Sequence, residues 1–110
     1  MTKPTDLPLV IEAYYAASNN HDIDRLVACF AEDARVRDDG EDLVGRDAIR
    51  HWAIKARDNY NATSEVLSHD PKDGADFVTA KVSGTFPGSP IELTYRFGLK
   101  DGQIASLAIA

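Results

Sequence analysis

The pattern of apolar and polar positions changes from helical to strand-like after about residue 62. Before that point, apolar residues recur at steps of three and four, which is the spacing of one face of a helix. After it, apolar residues occupy every second position in runs that are separated by turn signals, which is typical of β-strands. The pattern therefore predicts helices first and a sheet afterwards.

Three helices are predicted in the first part of the chain. The first runs from Leu7 to about Ser18, with Asp6 as its N-cap. The second runs from about Ile23 to Ala31, and the third follows Gly45 and fades at about residues 58–61.

Six strands are predicted, two of them short. The short strands, Arg35 to Arg37 and Glu41 to Val44, flank an Asp38-Asp39-Gly40 turn. The longer strands are predicted at residues 62–70, 75–86, 91–99 and 103–110. The clearest of these is 91–99, in which apolar and polar residues alternate strictly.

These elements predict one α+β domain spanning residues 1–110, with three helices packed on one face of a mostly antiparallel sheet. Gly84 and Gly98 lie in or next to long strands and favour a curved sheet. A curved sheet wrapped over helices encloses a cone-shaped apolar hollow, and such a hollow is where a small ligand would bind.

One carboxylate lies at an unusual place in this pattern. Asp38 comes just past the apolar position Val36, at the end of the first short strand. A carboxylate at the edge of a core is costly unless it is solvated, paired or used. Two interpretations are open, because Asp38 either faces the hollow or is a solvated turn residue like Asp39.

Composition limits the partners. The net charge of −6 argues against a nucleic-acid or anionic-membrane surface. No apolar run approaches the ~20 residues that span a bilayer, and residues 1–6 lack the apolar core of a signal peptide. We therefore expect a cytoplasmic protein.

The sequence offers no clear metal or thiol chemistry. Cys29 is the only cysteine and is expected to be a small core residue. The histidines His21, His51 and His69 match no metal-ligand spacing. His69 ends a predicted strand and is expected at the surface.

An ordered set of local patterns runs through the chain. The patterns are Tyr14 in the first helix, His21-Asp22-Ile23 at the start of the second, Phe30-Ala31-Glu32-Asp33-Ala34 at its end, Gly45-Arg46-Asp47-Ala48-Ile49 at the start of the third, and Lys100-Asp101-Gly102-Gln103-Ile104 in the last hairpin. With the order of the elements, this set resembles the nuclear transport factor 2-like superfamily. Within it, the chain is most similar to the SnoaL-like polyketide cyclases and ketosteroid isomerases.

The resemblance implies roles for individual residues. In ketosteroid isomerases, a first-helix tyrosine donates to the developing oxyanion, and an aspartate after the Ala-acid-Asp-Ala step moves the substrate proton. These positions are Tyr14 and Asp38 in this chain, with Tyr15, one residue on, as the competing choice for the tyrosine. The second oxyanion donor of those enzymes is a protonated aspartate in the penultimate strand, and here that position is Tyr95 or Leu93.

Several apolar residues are candidates for the wall of the hollow. Trp52 lies on the apolar stripe of the third helix and is expected to line it. The other candidates, which the sequence alone does not divide between wall and core, are Phe30, Val36, Val82, Phe86 and Phe97. Core packing is also the alternative interpretation of Tyr14 and Tyr95.

Two functions follow as hypotheses. The first is an isomerase- or cyclase-type enzyme that binds a small, mostly apolar, carbonyl-bearing molecule, with Asp38 as general base and Tyr14 and Tyr95 as donors. That chemistry needs no cofactor and no metal. The second is a non-catalytic ligand-binding or assembly module of the same fold. A cavity too small for a ligand would favour the second.

Both hypotheses share an expected partner. Members of the superfamily commonly dimerise through the outer face of the sheet, so the resemblance implies a homodimer. The residues expected on that face are Phe77, Thr79, Thr94 and Arg96, and a mixed face of this kind suits a two-fold interface.

Overall fold

The computed structural model of the protein describes residues 7–110, so the predicted N-cap Asp6 lies outside the described residues. The helices are α1 (Leu9–Asn19), α2 (Ile23–Ala28) and α3 (Arg46–Tyr60). The strands are β1 (Phe30–Asp38), β2 (Glu41–Val44), β3 (Thr63–Lys72), β4 (Ala75–Ser83), β5 (Ile91–Lys100) and β6 (Gln103–Ile109).

The six strands form a single sheet in the order β2-β1-β6-β5-β4-β3. Every neighbouring pair is antiparallel except β1 and β6, which are parallel. Register shifts interrupt the β1–β6, β3–β4 and β5–β6 pairs. Such bulges bend a strand and curve the sheet. The predicted α+β class with a curved, mostly antiparallel sheet is therefore confirmed.

The second helix is shorter than the sequence predicts. α2 ends at Ala28, and the chain from Phe30 onward is already strand β1. The prediction that the helix continued to Ala31 and ended in the Phe30-Ala31-Glu32-Asp33-Ala34 step was wrong. Phe30 and Ala34 are both buried, and β1 pairs irregularly with β6 between Phe30 and Arg35. A spacing of four between buried residues fits one face of a helix as well as one face of a strand, so the pattern did not distinguish the two.

Two other boundaries differ from the prediction. β3 continues through Pro71 to Lys72, which an edge strand tolerates because its outer N–H groups need no partner strand. β4 ends at Ser83, so Phe86 belongs to the loop between β4 and β5.

The helices cover one face of the sheet and enclose the core. The largest fully buried side chains are Phe30, Phe97, Ile11, Ile49, Ile104, Leu107, Val36 and Val78. Phe97 lies at the centre of an aromatic group. Its ring centroid is 5.5 Å from that of Tyr14, 6.0 Å from that of Tyr15 and 6.1 Å from that of Tyr95.

The opposite face of the sheet is mixed in character. Phe77 pairs in register with Arg96, and Thr79 pairs with Thr94. The Arg96 guanidinium and the Lys72 ammonium lie 5.9 Å and 5.4 Å from the centre of the Phe77 ring, which they partly cover.

Truncation of Phe97 is expected to cost far more stability than truncation of Phe86. Phe97→Ala removes a fully buried ring and should lower the free energy of unfolding by about 3–5 kcal/mol. Phe86→Ala removes a half-buried loop residue and should cost about 1–2 kcal/mol. Urea unfolding followed by circular dichroism measures both, and equal losses would contradict this division between core and periphery.

Candidate functional site

A cavity of about 530 Å³ lies between the inner face of the sheet and the helices. All three helices, strands β1 and β3 to β6, and several connecting loops contribute to its wall. The wall is mostly apolar, and the exposed residues Asp39, Tyr60, Pro87 and Ile91 border it, so the cavity opens to solvent there. Its volume lies within the ~300–1,000 Å³ typical of small-molecule sites.

Asp38 faces this cavity and is not a solvated turn residue. It follows Ala34 and Val36 at steps of two on the inner side of β1, and it is only partly exposed. The turn consists of Asp39 and Gly40, both with positive φ (53° and 79°), as a tight two-residue hairpin requires. The turn therefore ends β1 with Asp38 still inside the sheet.

The indole of Trp52 holds the Asp38 carboxylate. Its Nε1–H donates to Oδ2 of Asp38 at 3.0 Å, which joins α3 to the end of β1. None of the ion pairs within residues 7–110 includes Asp38. A neutral donor thus orients the carboxylate and leaves its charge uncompensated, and hydrogen bonds to an ionised acceptor are the stronger kind.

Two tyrosines line the same cavity. Tyr14 comes from α1 and Tyr95 from β5, and both are almost fully buried. Burial, with the nearby Tyr95 and Asp38, raises the pKa of Tyr14 well above its usual value. Burial also raises the pKa of Tyr95 to about 12; the Ser64 side chain acts in the opposite direction, and the Asp38 charge acts in the same direction as burial. Both phenols therefore stay protonated at neutral pH and are able to donate.

The predicted wall residues divide into two groups. Trp52, Val82 and Phe86 line the cavity. Phe30, Val36 and Phe97 lie in the closed core behind it, with at most 1 % of their surface exposed. Leu93 is the alternative to Tyr95 for the position of the second oxyanion donor of ketosteroid isomerases. It lines the cavity as well.

Sequence reasoning missed part of the wall. The residues not anticipated there include Ser64 of β3, Leu26 of α2, Tyr60 of α3 and Ile109 of β6. Leu26 and Tyr60 share helical stripes with predicted core residues, so periodicity was a usable signal for them. Ser64 is a small polar residue on an edge strand, and no sequence pattern distinguishes it.

A second polar pair is buried away from the cavity. His69 is 5 % exposed, and its Nε2 lies 2.8 Å from Oδ1 of Asp76. Among the described residues, His69 Nδ1 has no hydrogen-bond partner. The expectation of a surface histidine was wrong, because His69 pairs with the buried Val78 and shares its inner face.

Neither a metal cluster nor a membrane helix is found in residues 7–110. No group of three or more His, Cys, Asp or Glu side chains there is arranged to hold a metal ion. None of the helices in this part of the chain is long and apolar enough to cross a membrane.

The chain belongs to the SnoaL-like domain family, which matches residues 11–107. This is the branch of the nuclear transport factor 2-like superfamily that the ordered sequence patterns indicated. A search of curated proteins finds no match.

Solved structures agree with this assignment. A proposed polyketide cyclase from Sinorhizobium meliloti is 41% identical, with a TM-score of 0.94, and the match covers 98% of this chain and 99% of that one. A protein with a ketosteroid isomerase-like fold from Catenulispora acidiphila, solved with trimethylamine, is 19% identical with a TM-score of 0.82, covering 94% and 85%. A proposed polyketide cyclase from Xanthomonas campestris is 23% identical with a TM-score of 0.77, covering 91% and 85%. The last two matches concern the fold alone.

Substitution of Asp38 is expected to change the nuclear magnetic resonance signal of the Trp52 indole. Trp52 is the only tryptophan, so one Nε1–H signal reports on its bond to the carboxylate. Asp38→Asn replaces a charged acceptor with a neutral one and should move this signal upfield, since the hydrogen bond weakens. Asp39→Asn is the matched control and should leave it unchanged. Equal shifts in both variants would contradict the Trp52–Asp38 contact.

Proposed function

We propose that this protein binds a small, mostly apolar, carbonyl-bearing molecule in the cavity and transfers a proton on it with Asp38 as general base. The observation that carries the proposal is the convergence of Asp38, Tyr14 and Tyr95 on one largely apolar cavity, with Trp52 orienting the carboxylate. The 41% identity to a proposed polyketide cyclase supports the same class of chemistry.

The chemistry assigns a separate task to each group. The Asp38 carboxylate removes a proton from the carbon next to the ligand's carbonyl, and the electron pair of that C–H bond moves onto the carbonyl oxygen as an enolate forms. Tyr14 and Tyr95 donate hydrogen bonds to this oxygen as its negative charge develops. Asp38 then returns the proton to a different carbon in an isomerisation. In a cyclisation, the enolate carbon instead attacks a second carbonyl, and the alkoxide that forms takes the proton from Asp38.

The surroundings of Asp38 suit this role. The Trp52 indole bonds to Oδ2, which leaves Oδ1 for the proton. No cation of the described residues forms an ion pair with the carboxylate, so no cationic side chain stands between it and the ligand. The apolar wall strengthens each charge–dipole interaction in the site because little water screens it.

A non-catalytic binding module is the second candidate. It is favoured by the absence of the second acid, because the position where ketosteroid isomerases carry a protonated aspartate is Tyr95 or Leu93 in this chain. The volume of about 530 Å³ argues for a bound ligand under either hypothesis.

Exchange of carbonyl-adjacent protons with heavy water tests the base directly. Acetophenone, 2-cyclohexenone and a 3-oxo-Δ5-steroid, followed by NMR, are suitable probes because exchange needs only proton removal and return. We expect the wild type to accelerate exchange for at least one probe and Asp38→Asn to lose about 10²–10⁴-fold of that acceleration. Tyr14→Phe should lose ~10²–10³-fold, as for removal of one oxyanion donor.

Asp73→Asn is the control for this assay and should keep the wild-type rate, because Asp73 is an exposed turn residue that does not line the cavity. Binding of the probes without any exchange in the wild type would favour the binding module. No binding and no exchange across the panel would refute the proposal.

We also propose that the protein is a homodimer joined through the outer face of the sheet. Phe77 is half-exposed there between Thr79, Thr94 and Arg96, and this mixed surface suits a two-fold contact. Phe77→Asp should give monomers in sedimentation equilibrium at micromolar concentration, because a buried carboxylate at the interface would be unpaired. Leu9→Asp, at a position 85% exposed on α1, is the control and should stay dimeric. A monomeric wild type would overturn this assignment.

A further inference from the structure

The loop between β4 and β5 is tied to the end of α3. The N–H of Thr85 donates to the carbonyl of Tyr60 at 2.8 Å. The Thr85 hydroxyl donates to the same carbonyl at 3.1 Å and to that of Asn59 at 3.3 Å. The last carbonyls of a helix have no partner within the helix, and Thr85 supplies donors for two of them here.

Gly84 allows the loop to approach the helix this closely. A Cβ atom at Gly84 would lie 2.5 Å from the carbonyl oxygen of Tyr60, so a larger residue there would push the loop away from α3. Within the loop, the N–H of Gly84 donates to Oγ of Ser89 at 2.9 Å, and the N–H of Ser89 donates to the carbonyl of Phe86 at 3.3 Å. These bonds hold Phe86 in a defined position relative to the end of α3.

The attachment brings two aromatic rings together at the opening of the cavity. The rings of Tyr60 and Phe86 meet edge to face, with their centroids 5.9 Å apart and an interplanar angle of 88°. Both residues line the cavity, together with Ile91 at the start of β5. Tyr60 is 46% exposed and Ile91 is 38% exposed. Exposed apolar side chains that border a cavity are typical of a ligand contact.

This opening lies far from the polar end of the cavity. Tyr60 follows Trp52 by eight residues of α3, which places it ~12 Å along the helix from the indole that holds Asp38. Ile91 precedes Tyr95 by four residues of β5, which is roughly 13 Å along the strand. A ligand with a single ring beside Asp38 is too short to reach the opening, whereas one with two linked or three fused rings is long enough.

We propose that Tyr60 and Phe86 determine specificity by binding the far end of an elongated, ring-bearing ligand, and that Thr85 is their positioning residue. The ligand class is a carbonyl compound with two linked or three fused rings. Because the aromatic pair is held in place before binding, little side-chain freedom is lost when the ligand arrives. The carbonyl end of the ligand rests on the proposed function, whereas the contact at the opening is independent of it.

Two pairs of probes test this contact. 4-Acetylbiphenyl and acetophenone share the ketone and differ by one ring, and 4-ethylbiphenyl and ethylbenzene repeat the comparison without a carbonyl. The NMR signal of the Trp52 indole reports their affinities, and we expect the longer member of each pair to bind the wild type more tightly. In Tyr60→Ala and in Phe86→Ala, the ratio of the long-probe affinity to the short-probe affinity should fall by about threefold to tenfold, because only the longer probe loses a contact.

Leu9→Ala is the matched control for these variants. Leu9 is an exposed apolar residue of α1 that does not line the cavity, so its truncation should leave the affinity ratio at the wild-type value.

The positioning role of Thr85 is tested with the same ratio. Thr85→Val removes the hydroxyl and keeps the shape of the side chain, so it should lower the ratio and weaken the nuclear Overhauser effects between the Tyr60 and Phe86 rings. Thr85→Ser keeps the hydroxyl and should retain both. If Thr85→Val lowers only the unfolding temperature and changes neither readout, Thr85 is merely structural and its positioning role is refuted.

The outcomes separate this proposal from the proposed base. A ratio that stays at the wild-type value in both Tyr60→Ala and Phe86→Ala would overturn the contact at the opening, as would equal affinity of long and short probes or no binding by any probe. Proton exchange on the ketones without a preference for length would overturn the contact and leave Asp38 as the base. A preference for length in both pairs without any proton exchange would instead overturn the base and leave the contact standing.

Discussion

Aromatic packing on the inner face of the sheet decides where the cavity lies. The fully buried ring of Phe97 stacks against Tyr95 and meets Tyr14 edge to face, so one end of the hollow is filled. Tyr14 and Tyr95 form the boundary between this filled end and the open one, where they line the cavity. Because interiors pack closely, removal of this group would allow the helices to settle onto the sheet and close the site.

The polar groups of the site lie at the boundary that the aromatic group creates. Asp38 and Trp52 come from β1 and α3, while Tyr95 and Ser64 come from the far half of the sheet. The parallel pairing of β1 with β6 brings Asp38 beside Ile109 and thereby unites the two halves of the chain around one cavity. The low polarity of the wall keeps both phenols neutral, since burial is the largest cause of their raised pKa values.

The errors of prediction lie in strands whose pairing shifts register. In β1, the buried Phe30 and Ala34 are four residues apart, and this spacing fits one face of a helix as well as one face of a strand. In β3, the shift between Val66 and Ser68 changes which residues face inward, so that His69 is buried. Local periodicity does not reveal such shifts, because they arise from pairing with a distant strand.

The sequence by itself determined the family and the order of helices and strands, because apolar periodicity and turn signals are local properties of the chain. It also gave Trp52, Tyr14 and Tyr95 as candidate site residues, and all three line the cavity. It left two interpretations of Asp38 open, and the tertiary structure decided that Asp38 faces the cavity. Only the tertiary structure decided that Phe30, Val36 and Phe97 are core whereas Val82 and Phe86 are wall. That division depends on how far the helices stand from a curved sheet, and this distance results from packing between elements that are remote in the sequence.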